Sequence, residues 1–187
     1  MTYIFFDAFK RLGGEDLFQS PMVKNAIPYR LYNWLKKGTY IYHHDSFVNG
    51  RYNVMGAASG HLMFKLAREH KDGHAQWLAM QEKDLDLEWL LNDKPVKKDW
   101  HISKSSLVPA LHSVGWNLLW YDASVSSAPP DDLPGHHYFP NQGLVIMRTG
   151  WTDDDVVLAF TCSPVGGHSA RNAVLDGNKR LLSNYGH

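Results

Sequence analysis

Several groups of residues in this chain have types and spacing that can do chemistry. His43-His44-Asp45 sets two imidazoles beside a carboxylate, donor types found in metal sites. Adjacent side chains diverge in an extended segment, so the two imidazoles reach a single ion poorly. A solvated loop at the rim of a cleft is the better reading. His136-His137-Tyr138 offers imidazoles and a phenol for proton transfer or for lining a cleft, and an ordinary connecting segment would look the same. Arg148 can pair with a ligand carboxylate, or with Asp153 or Asp155 past the end of its own strand. Trp151 is either a ring that stacks on a ligand or a core residue at a hairpin tip, and the core is preferred. Gly166-Gly167-His168 is not a phosphate loop, since no Gly-x-x-x-x-Gly-Lys pattern or following helix accompanies it. Cys162, the one cysteine, excludes an intrachain disulfide and reads as a small buried hydrophobe. No Ser-His-Asp arrangement follows from spacing.

The elements that must position these groups divide by type along the chain. Residues 3–12 carry an apolar helical stripe of Ile4, Phe5, Ala8 and Leu12, stopped by Gly13-Gly14. Pro21 opens a second helix through Val23, Ala26, Ile27, Leu31 and Trp34, with an interruption expected at Pro28 and closure at Lys36-Lys37-Gly38. Residues 40–46 read as extended. Further helices are expected over 54–68, with Met55, Ala58, Leu62, Lys65 and Leu66 in period, and over 73–91, with Trp77, Met80, Leu87, Trp89 and Leu90. Residues 92–106 read as a surface connection, and 107–121 as apolar and partly helical. Residues 124–135, rich in Ser, Pro and Asp, mark the domain boundary. Beyond it, 144–148 and 156–161 are strand-like runs joined by a polar turn, and a third apolar run, 173–175, leads through Asp176-Gly177-Asn178 to Arg180-Leu181-Leu182. The expected organisation is a helical module over 1–123, a linker over 124–135 and a β module over 136–187. Three or four strands cannot bury two faces of a sandwich, so other structure must cover this sheet or the chain is a fragment.

Bulk properties exclude some classes of partner. The 187 residues are enough for one substantial domain or two small ones. Lys plus Arg and Asp plus Glu balance at 19 each, so no global field favours nucleic acid or an anionic membrane. No apolar run approaches the roughly 18 residues of a membrane span. Met1-Thr2-Tyr3-Ile4-Phe5-Phe6 lacks the basic start of a signal peptide, and the chain's beginning reads as the middle of a helix. Seven Trp, nine Tyr and eight Phe supply either stacking platforms for sugars or bases, or core filling between helices.

One run is specific enough to compare with a family. Asp131-Asp132-Leu133-Pro134, Tyr138-Phe139-Pro140, Gly143-Leu144-Val145-Ile146-Met147-Arg148-Thr149-Gly150-Trp151, Leu158-Ala159-Phe160 and Gly166-Gly167-His168 together resemble the heparinase II/III-like polysaccharide lyases. Arg180-Leu181-Leu182-Ser183-Asn184-Tyr185-Gly186-His187 is similar to that family's Leu-Leu-x-Asp-x-Gly-Tyr segment. Upstream, Phe6-Asp7-Ala8-Phe9, Gly14-Glu15-Asp16-Leu17-Phe18, Asp45-Ser46 and Ala75-Gln76-Trp77-Leu78-Ala79 resemble its helical part. The resemblance implies an α+β multidomain fold: the C-terminal part of an (α/α) toroid, then the opening strands of an antiparallel β-sandwich. It implies an acidic polysaccharide bound between the two and cleaved by β-elimination. A base, usually Tyr or His, must take the weakly acidic C5 proton of a uronate, and the neighbouring carboxylate must be neutralised as charge builds on it. The leaving oxygen must receive a proton.

On this resemblance His168 is the catalytic candidate, and Arg148, His136, His137 and Trp151 are the substrate-binding candidates. The family's His-x-His-x-Asp segment, which supplies a catalytic His and a structural zinc ligand, is not matched. Either Ala170 and Asn172 replace its later members, or the segment is deleted between Asn172 and Val174; the deletion is slightly favoured. Asn184 stands where a second zinc ligand belongs, and a neutral amide is a poor one, so no metal is expected. The family's base Tyr is expected upstream of Met1; Tyr3 is the nearest aromatic, and packing suits it better. The chain is thus expected to be a truncated lyase with weak or absent turnover. Its alternatives are a non-catalytic carbohydrate-binding remnant and a structural fragment. The parent protein is expected in the periplasm or outside the cell.

Overall fold

The computed structural model describes residues 2–37, 39–41, 60–83, 107–152 and 154–161, the last two ranges following a long gap after 83. The expected extended run at 42–46, the surface connection at 92–106 and the run at 173–182 fall outside the described residues. A helical layer comes first and a three-stranded sheet last.

Helix α1 is Thr2–Arg11. It ends in a Schellman motif: Gly14 N–H donates to Phe9 O at 2.9 Å and Gly13 N–H to Lys10 O at 3.1 Å. Gly13 holds φ +83°, where a side chain would be strained. The predicted stop is there, but the predicted stripe faces the other way. Ile4, Phe5, Ala8 and Leu12 are all exposed, and Phe6 is the residue turned inward. Two interactions explain the rotation. Tyr3 and Phe6 pack on the fully buried Phe18 ring, and Asp7 accepts a 2.8 Å hydrogen bond from buried Lys65. An ammonium that is 2% exposed must find carboxylates, and that need outweighs the burial of Ile4 and Leu12.

After a 3-10 turn at Leu17–Gln19, capped by the Asp16 side chain, come α2 (Pro21–Lys24) and α3 (Ala26–Asn33). The expected break at Pro28 is instead at Asn25. Pro28 is the third residue of α3, within the first turn, where a missing N–H leaves no intrahelical bond unmade. Val23, Ile27, Leu31 and Trp34 are buried as their spacing predicts. Trp34 does not extend the helix; it begins β1 (Trp34–Lys36), which pairs antiparallel with β2 (Thr39–Tyr40).

Helices α4 (Gly60–His70) and α5 (Gly73–Glu82) form a tight antiparallel hairpin. Its turn puts Lys71 at φ +53°, and Asp72 caps α5 by accepting from Ala75 N–H at 2.8 Å. The buried side of α5 is Ala75, Leu78, Ala79 and Glu82, whereas Met80 is exposed and Trp77 only half-buried. The core face is carried by Ala75, Leu78 and Ala79, so the predicted Trp77 and Met80 lie off its centre. Helix α6 (Leu107–Trp120) packs on α4 and stacks Trp116 on Trp120 at 4.5 Å.

Residues 124–135 are strapped to the helices. Ala128 N–H donates to Gly73 O at 3.0 Å, His74 Nδ1 meets Ala128 O at 3.1 Å, and Tyr32 donates to Pro134 O at 2.6 Å. Val125 and Pro130 are buried. The sheet follows as an antiparallel meander in the order β3 (His136–Phe139), β4 (Leu144–Arg148) and β5 (Val157–Thr161). The sequence signals β4 and the whole of β5, with one residue too many at its start, but not β3. Among the described residues no helix is long and apolar enough to cross a membrane.

The charged network under α1 sets an acid limit on stability. Lys65 binds Asp7 and Glu69 at 2.8 Å each, and Lys10 joins Glu69 to Asp16. The bond from Lys65 holds Asp7 below the usual carboxylate range, and the bond from Lys10 does the same for Asp16. Burial pushes Glu69 up, but its bonds from Lys65 and Lys10 leave it lowered. With folded values depressed, the unfolded chain binds protons first. The stabilisation is therefore complete above the ordinary carboxylate range and is lost as pH falls through the folded values. Lys65→Met should cost about 3 kcal/mol near neutrality, at the low end for a broken buried pair because Asp7 keeps some solvent. Urea titrations at pH 7 and pH 4 check this: the variant should also show a flatter acid dependence than the parent.

Candidate functional site

The four described candidates lie on or just beyond two paired strands, and the sheet sorts them by face. Pleating sends His136 and Tyr138 to one side, with Val145, Met147, Leu158 and Phe160. His137, Phe139, Leu144, Ile146 and Arg148 go to the other, which packs on α3. Ile146 and Leu144 are buried there, and Phe139 meets the Tyr29 ring edge-on at 5.3 Å.

Arg148 is the most constrained of the four. It is 6% exposed. Its Nε donates to Gly150 O at 2.6 Å, and its Nη1 reaches Trp34 O at 3.2 Å and Leu31 O at 3.4 Å. The guanidinium lies 3.6 Å over the Trp151 ring. Those two carbonyls belong to the last turn and cap of α3, which carries partial negative charge, and Leu31 O also accepts from the Trp34 N–H. Burial pushes the guanidinium down to about 10, with Asp155 and Tyr32 opposing, so it stays charged at neutral pH. The structure thus spends this cation on the seam between sheet and helices rather than on the surface.

Asp155, weighed as its partner, organises the turn instead. It accepts from Thr149 Oγ1 and from both Thr152 N–H and Oγ1, which hold its carboxyl below the usual range. A Cβ on Gly150 would lie 2.6 Å from Asp155 Oδ2, so a larger residue there would push the Asp155 carboxylate off its turn bonds. Trp151 is 8% exposed, with Arg148 on its face and the Tyr32 ring at its edge, 5.3 Å away. It occupies the core position that was one of its two sequence readings.

His137 is half-buried between Tyr32, at 4.8 Å, and Phe139, at 4.4 Å. Burial, and then repulsion from His136, lower its pKa, so it is neutral at pH 7. His136 and Tyr138 are exposed, Tyr138 by 57%. These two alone of the junction group present chemistry to solvent: an imidazole and a phenol on alternate residues of one strand. His43, His44, Asp45, Cys162 and the catalytic candidate His168 lie outside the described residues, as do Asn172 and Asn184. Among the described residues no three His, Cys, Asp or Glu side chains gather to hold a metal. Tyr3 packs on Phe6 and Phe18, and burial raises its hydroxyl, which suits packing.

One polar group was not signalled by sequence. Glu82, 2% exposed, accepts from Trp34 Nε1 at 2.9 Å. Tyr40 hydrogen-bonds with Glu82 and Arg30, and the Arg30 guanidinium lies 3.9 Å over the Tyr40 ring. Burial raises the Tyr40 hydroxyl strongly, so it donates and does not act as a base at neutral pH. Arg30, Trp34 and Tyr40 lie near one another in sequence on α3, β1 and β2, but Glu82 comes from α5, 48 residues after Trp34, so no local pattern reveals the cluster.

Two expectations follow. Arg148→Met should lower unfolding free energy by about 2 kcal/mol, since it takes the side-chain donor from the Trp34 and Gly150 carbonyls while Leu31 O keeps its bond from Trp34 N–H, and Arg148→Lys should restore little because an ammonium lacks the planar fork. A loss under about 0.5 kcal/mol in denaturant titration would instead mark a surface residue. For His137, the lowered folded value means stability present above the ordinary histidine range and lost as pH falls through the folded value. His137→Phe should therefore weaken the drop in unfolding free energy between pH 7.5 and pH 5.5, with the remainder carried partly by His70, which burial also lowers.

No family model, no curated protein and no solved structure matches this chain.

Proposed function

We propose that this chain is a polysaccharide-lyase-like protein of heparinase II/III type: a helical layer of toroid kind followed by antiparallel strands of sandwich kind, binding an acidic polysaccharide and turning it over weakly or not at all. The single observation that carries the reading is the display of His136 and Tyr138 on the open side of β3, whose neighbours on the same strand pack on α3. Imidazole and phenol are the two side chains best suited to remove a uronate C5 proton or to return one to a leaving oxygen. They also bind sugar hydroxyls, with the rings giving apolar contact. A uronic-acid polymer as ligand goes with a periplasmic or secreted location for the parent protein.

The second reading, a non-catalytic carbohydrate-binding remnant, is favoured by Arg148. Elimination needs a cation or strong donor against the substrate carboxylate, and this guanidinium is held in the interior by Gly150, Trp34 and Leu31. The zinc of the resembled family enters neither reading, because Asn184 stands at one ligand position and the His-x-His-x-Asp segment is unmatched in the sequence.

Incubation with alginate, heparin and chondroitin sulfate tests both readings, with far-ultraviolet absorbance following the unsaturated product and calorimetry following binding. The expected result is binding to at least one polymer with little or no product. His136→Ala or Tyr138→Ala should weaken that binding about three- to tenfold, the loss of one contact worth about 0.5–1.5 kcal/mol. Product that survives His168→Ala would remove His168 from the reaction. Absence of both binding and product with all three polymers would overturn the proposal.

A further inference from the structure

We draw no further inference here: the strongest candidate, the apolar outward face of the three-stranded sheet formed by Tyr138, Met147, Leu158 and Phe160, carries nothing because nothing in the structure shows what covers it.

Discussion

The seam between sheet and helices depends on a buried guanidinium set against the end of a helix: Arg148 gives Nε and Nη1 to three carbonyls, while its buried Nη2 has no hydrogen-bond partner among the described residues. Its position at the end of β4 puts Nη1 against Leu31 and Trp34 at the end of α3, while Nε closes the turn onto Gly150. The Trp151 ring covers the other side of the cation. Slipping β4 by one residue would turn Arg148 out to solvent and bring Met147 onto the helix end, so this contact selects the register of the sheet as well as its docking. The inward set of Leu144 and Ile146 agrees with the same register, which is why packing and hydrogen bonding do not compete here.

From that seam the constraints pass in both directions. Trp34 gives its carbonyl to Arg148 and its indole N–H to Glu82, so the sheet, α3 and α5 share one residue. On the sheet side, Tyr32 packs on both His137 and Trp151 and donates to Pro134, tying the strap to the helix it crosses. The segment that composition marks as a boundary is thus held by a backbone bond from Ala128 to Gly73 and by buried Val125 and Pro130. Pro and Ser lower a chain's helical and strand content, but they do not by themselves make it loose.

Much of this was legible in the sequence where a local rule governs. Gly13-Gly14 ends a helix because the left-handed backbone there suits glycine, and Leu144-Val145-Ile146-Met147-Arg148 forms a strand as its apolar run suggests. The rest depends on partners distant in the chain. The apolar stripe of α1 points outward because Lys65, 58 residues away, claims Asp7 for the opposite side. Met80 is exposed because α5 packs through Ala75, Leu78 and Ala79. Spacing gives a helix its faces, but a single buried charge decides which of them turns inward.

The same logic applies to the candidate site. Arg148 and Trp151 have residue types that bind acidic sugars, yet a cation and a ring adjacent to a helix end are also what a docking seam requires. Residue type could not separate these uses; burial and acceptor geometry do. His136 and His137 make the point most simply, since neighbouring residues of one type are sent to opposite faces by the pleat. His137 goes to Tyr32 and becomes a neutral packing residue, and His136 goes to solvent with Tyr138 two residues on. The chemistry left on the open face of the sheet is therefore that of an imidazole and a phenol without the buried arginine. That combination suits contact with sugar hydroxyls better than stabilisation of the charge that elimination builds on a carboxylate.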